Sequence, residues 1–199
     1  MYQWRKMNPA MRTRVLGIRK LLGQPWHSPP HRAAEHPVYL ISGTCFEHRH
    51  VIGKNEARMA EFSEELLAVL RDAKATVHAW CVLPNHYHAL LEHPDVKALL
   101  HLLGQMHGRT SFRWNGEDAQ RGRKVWFNAV ETAMKSEGHF WATLNYVHHN
   151  PVHHKLVARW QDWPFGSARD FLAGKGREEA ARIWREYPVL DYGKDWDPP

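Results

Sequence analysis

Two strand-like runs separated by a three-residue turn constrain the fold of this chain more than any other feature. Residues 76–82 and 86–92 are rich in apolar side chains, and Leu83-Pro84-Asn85 lies between them. Proline and asparagine favour turns, because proline fixes φ and asparagine can bond its own backbone. The pattern therefore predicts a β-hairpin built from two antiparallel strands.

The second strand of this hairpin begins with two histidines, His86 and His88. Alternate residues of a strand point to the same face, so the two imidazoles share one face and Tyr87 points to the other. Neighbouring imidazoles can bind a divalent metal. The chain contains 16 histidines, however, and about one His-x-His is expected by chance. On spacing alone, two structural histidines are the more ordinary interpretation.

A second candidate group lies on a helix predicted at residues 138–149. Tyr146 and Asn150 are four residues apart, so their side chains are neighbours on a helix. Tyr146 is off the apolar stripe of this helix, so we expect it to face away from the core, available for chemistry. A tyrosine on a helix is nevertheless more often a packing residue. Pro151 is expected to end the helix. The stripe consists of Phe140, Leu144 and Val147.

Both segments resemble those of one enzyme family. Residues 81–91 resemble the metal-binding HUH segment of single-tyrosine transposases, which has the order histidine, hydrophobic residue, histidine. Residues 146–152, followed by Leu156 and Val157, resemble the nucleophile segment of one branch, the REP-associated tyrosine transposases. Residues 163–167 resemble a further element of that branch. The resemblance covers residues 38–170 with order and spacing preserved.

The resemblance implies an enzyme that cuts and rejoins single-stranded, hairpin-forming repeat DNA. His86 and His88 would hold a divalent metal, Mg²⁺ or Mn²⁺, with Asn150 as a third and weaker ligand. Tyr146 would be the nucleophile, leaving a 5′-phosphotyrosine and a free 3′-hydroxyl. A ligand set of imidazoles and one amide also accepts Zn²⁺, Co²⁺ or Ni²⁺, which would bind more tightly in vitro.

The chain departs from the family on both sides of the nucleophile segment. Residues 125–131 lack the histidine and the arginine that many relatives carry in a strand at this place. After Asn-Pro-Val the family usually has arginine or lysine with glycine, whereas this chain has His153, His154 and Lys155. Neither change touches the ligands or the nucleophile. His149 and His153 have the i, i+4 spacing of a zinc-binding pair, but Pro151 between them interrupts the helix that such a pair needs. We therefore expect His148, His149, His153 and His154 at the surface near phosphate.

Charge is consistent with a nucleic-acid partner, and the resemblance implies that this partner is single-stranded or hairpin DNA. The net charge is +6, and residues 1–24 contain no acidic residue. Lysine and arginine patches hold phosphates largely irrespective of sequence, and the ten tryptophans could stack on unpaired bases where they are exposed. For any single residue, a solvated charge or a core tryptophan is the more common case. The candidate DNA-binding residues are Arg5, Lys6, Arg12, Arg14, Arg19, Lys20, Arg109, Arg113, Arg121, Arg123, Lys124 and Lys155.

The remaining composition favours an intracellular protein. Cys45 and Cys81 are the only cysteines, and each lies in an apolar strand-like run, as is typical of buried reduced thiols. The N-terminus has no hydrophobic signal core, and no apolar run approaches membrane-spanning length. With the bacterial source that the family suggests, we expect a cytoplasmic, nucleoid-associated protein with no membrane partner, acting as a monomer or homodimer.

The order of predicted elements indicates an α+β fold. A ferredoxin-like (RRM-like) antiparallel sheet is expected, with helices on one face and the nucleophile-bearing helix facing the histidines. The same fold follows from the resemblance. Besides the hairpin and the nucleophile helix, the elements are strands 38–46 and 125–130 and helices 8–22, 55–74 and 96–113. The domains are a basic N-terminal arm with a Pro-rich linker (1–37), the catalytic domain (38–170) and a C-terminal helix and tail (171–199), the tail packing across the domain.

Three functions from different classes remain open on the sequence. The first is the DNA transesterase that the resemblance implies. The second is a catalytically silent DNA-binding protein that keeps the scaffold, whose binding would be indifferent to chelator and to Tyr146→Phe. The third is a zinc-stabilised structural protein, which chelation would unfold. The intact tyrosine, histidines and amide count against the second, and two histidines with one amide are an incomplete set for the third.

Overall fold

A four-stranded antiparallel sheet is the centre of the computed structural model, which describes residues 7–21, 37–190 and 192–193. The order of strands across the sheet is β2-β3-β1-β4, with helices following β1 and β3. This is the ferredoxin-like arrangement, so the predicted fold class is confirmed. The hairpin of β2 and β3 has the predicted bounds. The strands are β1 (Val38–Thr44), β2 (Thr76–Val82), β3 (His86–Glu92) and β4 (Val130–Ala133).

Three of the helices have a polar N-cap residue. Asn55, Asp95 and Ser136 each accept a hydrogen bond from the backbone N–H three residues later. Such caps satisfy N–H groups that have no partner inside the helix, each contributing about 1 kcal/mol. The helices are α1 (Pro9–Leu21), α2 (Glu56–Asp72), α3 (Val96–Glu117), α4 (Glu137–His153), α5 (Ala168–Lys175) and α6 (Arg177–Glu186).

The two faces of the sheet carry separate cores, because successive strand residues point to opposite sides. On one face, Tyr87 and its strand neighbours pack with α2 and α3 around Phe62 and Trp114. On the other face, Leu40 and Leu90 pack against α4. The sheet therefore separates a closed core under α2 and α3 from the side on which α4 meets the histidines of β3.

The fourth strand differs from the prediction, which placed it at residues 125–130. The ladder with β1 starts only at Val130. Val125 and Trp126 are buried, but Trp126 makes a single bridge to Cys45, stacks on His107, and donates its indole N–H to Thr110 of α3. Residues 125–127 therefore pair only briefly with the chain at the end of β1, through two backbone hydrogen bonds and one bridge, and their apolar pattern mainly reflects burial against α3.

The expected end of the nucleophile helix at Pro151 is wrong, because α4 continues to His153. Proline removes one backbone N–H donor, but helical hydrogen bonding continues beyond it, because the amide of His154 donates to the carbonyl of Asn150. The Pro151 ring is buried beside Val147 and Trp163, and this packing compensates for the lost hydrogen bond.

The C-terminal segment packs across the domain as predicted. Val189 and Tyr192 lie against the core shared by the sheet and α4. Helix α5 spans the predicted boundary between residues 170 and 171. Residues 1–6 and 22–36, which include Arg5, Lys6 and most of the Pro-rich linker, lie outside the described residues.

Cys45 and Cys81 are buried and free, as the sequence predicted. Burial raises the pKa of Cys45 to about 12 and also raises the pKa of Cys81, so both thiols stay protonated. Within the described ranges, none of the helices has the length and apolar character needed to span a bilayer.

Candidate active site

The four residues singled out from the sequence meet between β3 and α4. The Nε2 atom of His86 lies 3.0 Å from the Oδ1 atom of Asn150. The hydroxyl of Tyr146 lies 3.3 Å from the Nε2 atom of His88. The two imidazole rings are 5.0 Å apart between centroids. Tyr87 points to the opposite face and bonds His107, as the strand periodicity predicted.

Each imidazole is held at its far nitrogen by a neighbouring side chain. Asn85 donates its amide N–H to the carbonyl of His48 at 3.2 Å, so its Oδ1 atom accepts from the Nδ1–H of His86 at 2.7 Å. Ser42, which pairs with His88 between β1 and β3, places its hydroxyl 2.7 Å from the Nδ1 atom of that histidine. These contacts turn both Nε2 atoms toward α4, which is how metal-binding histidines are oriented.

The donor atoms fit a divalent cation. In the tautomer that carries its proton on Nδ1, as the contact to Asn85 favours, the lone pair on His86 Nε2 faces a second acceptor, Asn150 Oδ1, at 3.0 Å. The Nδ2 atom of Asn150 is buried with no hydrogen-bond partner in the described structure. A cation bound between His86 Nε2 and Asn150 Oδ1 would remove the repulsion between these two acceptors. Without a metal, a rotated Asn150 amide would remove it by donating its N–H to His86 Nε2. No cluster of three or more His, Cys, Asp or Glu side chains suited to a metal occurs in the described ranges, so the amide is needed to complete the set.

The expectation that Tyr146 faces outward is wrong, because only 4% of the residue is exposed. Its ring packs edge-on against Tyr192, 5.4 Å between centroids. Gly193 lies so close that a Cβ atom there would be 2.3 Å from the Tyr146 ring, so only glycine fits. Helix α4 has the sheet on one side and the C-terminal tail on another, and every residue from 143 to 148 is buried. A single apolar stripe does not describe a helix buried on two sides.

The tail that covers Tyr146 is fastened to α4 by specific hydrogen bonds. The hydroxyl of Tyr192 lies 3.0 Å from His139 Nε2 and 2.6 Å from Thr143 Oγ1. Asn145 donates its amide to the carbonyl of Tyr187 at 2.8 Å. Burial raises the pKa of Tyr192, which keeps this phenol protonated. Sequence reasoning missed these contacts because they join residues more than 40 positions apart.

The histidines around Asn150 are not all surface groups. His148 is buried and its Nε2 atom lies 3.0 Å from the hydroxyl of Ser167. Burial lowers the pKa of His148 to about 4, so this ring is neutral at neutral pH. The ring of His154 lies 5.0 Å from that of His86, at the edge of the candidate site. The surface prediction is therefore wrong for His148.

Residues 163–167 close the outer edge of β2. Phe165 accepts from the amide of Val82 at 2.8 Å, and the amide of Ser167 donates to the carbonyl of Trp80 at 3.0 Å. The indole of Trp163 donates to Val82 at 2.9 Å. This element, which the sequence marked by resemblance, brings Ser167 to His148 and fixes the position of α4 on the sheet.

Several predicted DNA-binding cations form contacts within the protein. Arg113 lies 2.9 Å from Glu65, and Arg123, only 14% exposed, lies 2.8 Å from Asp118. Arg109 lies 3.6 Å from Glu65, Arg121 stacks on Phe112, and Lys124 lies over Phe46 and Phe127. Arg109, Arg113, Arg121, Arg123 and Lys124 form a second basic cluster after that of residues 1–24, and these contacts give it a structural role that the sequence did not predict. Its contact with DNA remains a prediction.

The other candidate cations are placed at the surface or beyond the described side chains. Arg14 and Lys20 of α1 are exposed, Arg12 is half-buried, and Lys155 is exposed after the end of α4. The side chain of Arg19 lies outside the described part of the chain, as Arg5 and Lys6 do. Contact of these residues with DNA also remains a prediction.

Comparison with known proteins shows a similarity to a solved structure. No protein-family model matches the chain, and no curated protein matches it. Among solved structures, it is similar to that of a REP-associated tyrosine transposase bound to a REP hairpin, with 18% sequence identity and a TM-score of 0.57. The match covers 76% of this chain and 89% of that one. At this identity the match establishes the fold.

Proposed function

We propose that this chain is a REP-associated tyrosine transposase of the HUH superfamily, a metal-dependent enzyme that cleaves and rejoins hairpin-forming single-stranded DNA. The observation that carries the proposal is the convergence of the candidate nucleophile and the candidate ligands. Tyr146 and Asn150 come from α4, His86 and His88 from β3, and the two pairs lie within 3.3 Å of each other. A chance His-x-His has no reason to lie opposite a phenol and an amide.

His86, His88 and Asn150 would hold the metal, with Asn85 and Ser42 orienting the imidazoles. When bound, Mg²⁺ or Mn²⁺ offsets the negative charge that develops on the phosphate during transfer. Imidazole nitrogens favour Mn²⁺ over Mg²⁺, and Zn²⁺, Co²⁺ or Ni²⁺ bind such a set more tightly in vitro.

Tyr146 would attack the phosphorus atom with its hydroxyl oxygen. The phenol loses its proton, the bond between phosphorus and the 3′-oxygen breaks, and that oxygen takes up a proton. The products are a 5′-phosphotyrosine and a free 3′-hydroxyl. A free phenol has a pKa near 10 and is a poor nucleophile at neutral pH, so a positive charge beside the phosphate is needed. In the reverse direction a 3′-hydroxyl attacks the phosphotyrosine and restores the strand without ATP.

Single-stranded or hairpin DNA is the partner that charge and fold support. The chain carries a net charge of +6, and Arg14, Lys20 and Lys155 are exposed. The structure with a similar fold was solved with a REP hairpin bound. We place the protein in the bacterial cytoplasm, associated with the nucleoid, as a monomer or homodimer.

A catalytically silent DNA-binding protein is the second candidate, and the burial of Tyr146 favours it. A nucleophile that is 4% exposed and covered by Tyr192 and Gly193 cannot receive a phosphodiester unless the tail shifts or the substrate enters beside it. In this alternative, DNA binding does not change with chelator or with Tyr146→Phe.

A covalent-adduct assay separates the two candidates. Hairpin oligonucleotides from the DNA flanking the gene are incubated with the protein and Mn²⁺, then run on a denaturing gel. We expect a protein–DNA band that EDTA and Tyr146→Phe both abolish. Tyr192→Phe is the matched control, because its ring touches Tyr146 but its hydroxyl bonds His139 and Thr143, and its band should persist. Tight binding with no band from any hairpin would support the silent alternative.

A further inference from the structure

A cavity of about 390 Å³ lies between α4 and the C-terminal tail. Its volume falls within the range of about 300–1,000 Å³ typical of small-molecule sites. We call it the tail cavity. Its lining residues are Tyr146, His149, Asn150 and His153 of α4, Trp184 of α6, and Pro188, Val189, Leu190, Tyr192 and Gly193 of the tail.

The tail cavity borders the candidate active site directly. Tyr146 and Asn150 belong to both, and Asn150 is 3.0 Å from His86. A ligand in the cavity is therefore separated from the reacting phosphate by no more than the width of these two side chains. If Tyr146 attacks a phosphodiester here, a nucleotide next to the cleaved bond would reach this cavity.

The walls of the tail cavity suit a flat aromatic ligand. Trp184 supplies an indole, and Pro188 and Val189 supply further apolar surface. The ring of His149 lies 5.1 Å from that of Trp184, and its Nδ1 atom is buried without a hydrogen-bond partner among the described residues. An apolar cavity with a few polar groups at one edge is what a planar heteroaromatic ring requires.

We propose that the tail cavity holds an unpaired nucleobase of single-stranded DNA, adjacent to the phosphate that Tyr146 attacks, with its ring stacked on Trp184. This inference rests on the proposed function, since it names a subsite of the same substrate. Stacking on an aromatic side chain is tolerant of base identity, so the cavity reads the absence of pairing more than the sequence. A base paired within a hairpin stem presents no free face and is excluded. The cavity thus explains how a cut is confined to unpaired DNA.

The test uses the full-length Tyr146→Phe variant, which cannot cleave and so isolates binding. Hairpin oligonucleotides from the flanking DNA carry 2-aminopurine, or an abasic site, at each unpaired position in turn. We expect one position at which 2-aminopurine fluorescence is quenched on binding. An abasic site there should weaken binding by about 5-fold to 150-fold, which corresponds to the loss of one base–aromatic stack.

Adding Trp184→Ala to the Tyr146→Phe variant should remove both the fluorescence quenching and the loss of affinity caused by the abasic site. Adding Trp184→Phe should keep most of the quenching and most of that loss of affinity. Trp141→Ala is the matched control, because Trp141 also lies on α4 near the tail, stacked on Tyr187, but does not line the cavity. Circular dichroism melting establishes that the variants are folded.

Equal abasic penalties with and without Trp184 would overturn the inference, as would the absence of any sensitive unpaired position in the parent protein. The covalent adduct of the wild-type protein is scored separately. If the adduct forms but the abasic penalty does not depend on Trp184, only the cavity assignment is refuted. If there is neither an adduct nor DNA binding, the proposed function itself is refuted.

Discussion

Asn85 provides a test of whether the two histidines are built to bind metal. Its side chain accepts from the Nδ1–H of His86 at 2.7 Å and donates to the carbonyl of His48 at 3.2 Å, so Asn85→Ala removes both contacts. His86 is 1% exposed, and water cannot readily replace the lost acceptor. Such a loss costs about 1–3 kcal/mol, and removing an outer partner of a metal-binding histidine lowers metal affinity by about 10-fold to 100-fold.

The assay is calorimetric titration of Mn²⁺ into the full-length protein without DNA. We expect Asn85→Ala to bind Mn²⁺ by about 10-fold to 100-fold more weakly. Asn85→Asp should lose less affinity than Asn85→Ala, because a carboxylate still accepts from His86, although it cannot donate to the carbonyl of His48. Asn128→Ala, at an exposed asparagine, is the control and should leave the affinity unchanged. Parental affinity in Asn85→Ala would refute the assignment of His86 as an oriented ligand.

Three further predictions concern stability and DNA binding. Asp118→Asn should lower the free energy of unfolding by about 1–3 kcal/mol in urea at pH 7, because it removes one of the two carboxylates that pair with the buried Arg58 and leaves only Glu117. Hydrogen bonds from Arg58 hold the pKa of Asp118 well below its usual range. Its contribution is thus present above about pH 4 and lost as pH falls through the folded-state pKa; a flat profile would contradict this. Burial lowers the pKa of His107 to about 3. Between about pH 6.5 and pH 3 this histidine is protonated in the unfolded chain but not in the folded one, so the free energy of unfolding decreases as the pH is lowered. His107→Gln should reduce this decrease. Deleting residues 1–24 should weaken DNA binding and reduce its salt dependence, and an unchanged slope in fluorescence anisotropy would exclude the arm from phosphate contact.

The parts of the fold that could be predicted depend on short-range patterns. The hairpin of β2 and β3 follows from two apolar runs and one turn, so its bounds and the shared face of His86 and His88 were correct. The spacing of Tyr146 and Asn150 on a helix was also correct. What brought the two segments together was resemblance and not periodicity.

The parts that could not be predicted depend on tertiary contacts. Tyr146 is buried because a tail more than 40 residues later packs on it, and helical periodicity carries no information on that contact. The ion pairs of Arg113 and Arg123 need α2 and the end of α3 to be in place. Trp126 is buried against α3 and not paired in the ladder, which the same apolar pattern could not distinguish.

Locating the DNA on the protein tests the central claim most directly. After reaction with a hairpin oligonucleotide and Mn²⁺, nuclease treatment and trypsin cleavage release the peptide of residues 136–155, which contains Tyr146 as its single tyrosine. We predict that mass spectrometry finds a phosphonucleotide attached to Tyr146 in this peptide. A phosphonucleotide on any other residue, or none while the DNA is cleaved, would contradict Tyr146 as the nucleophile.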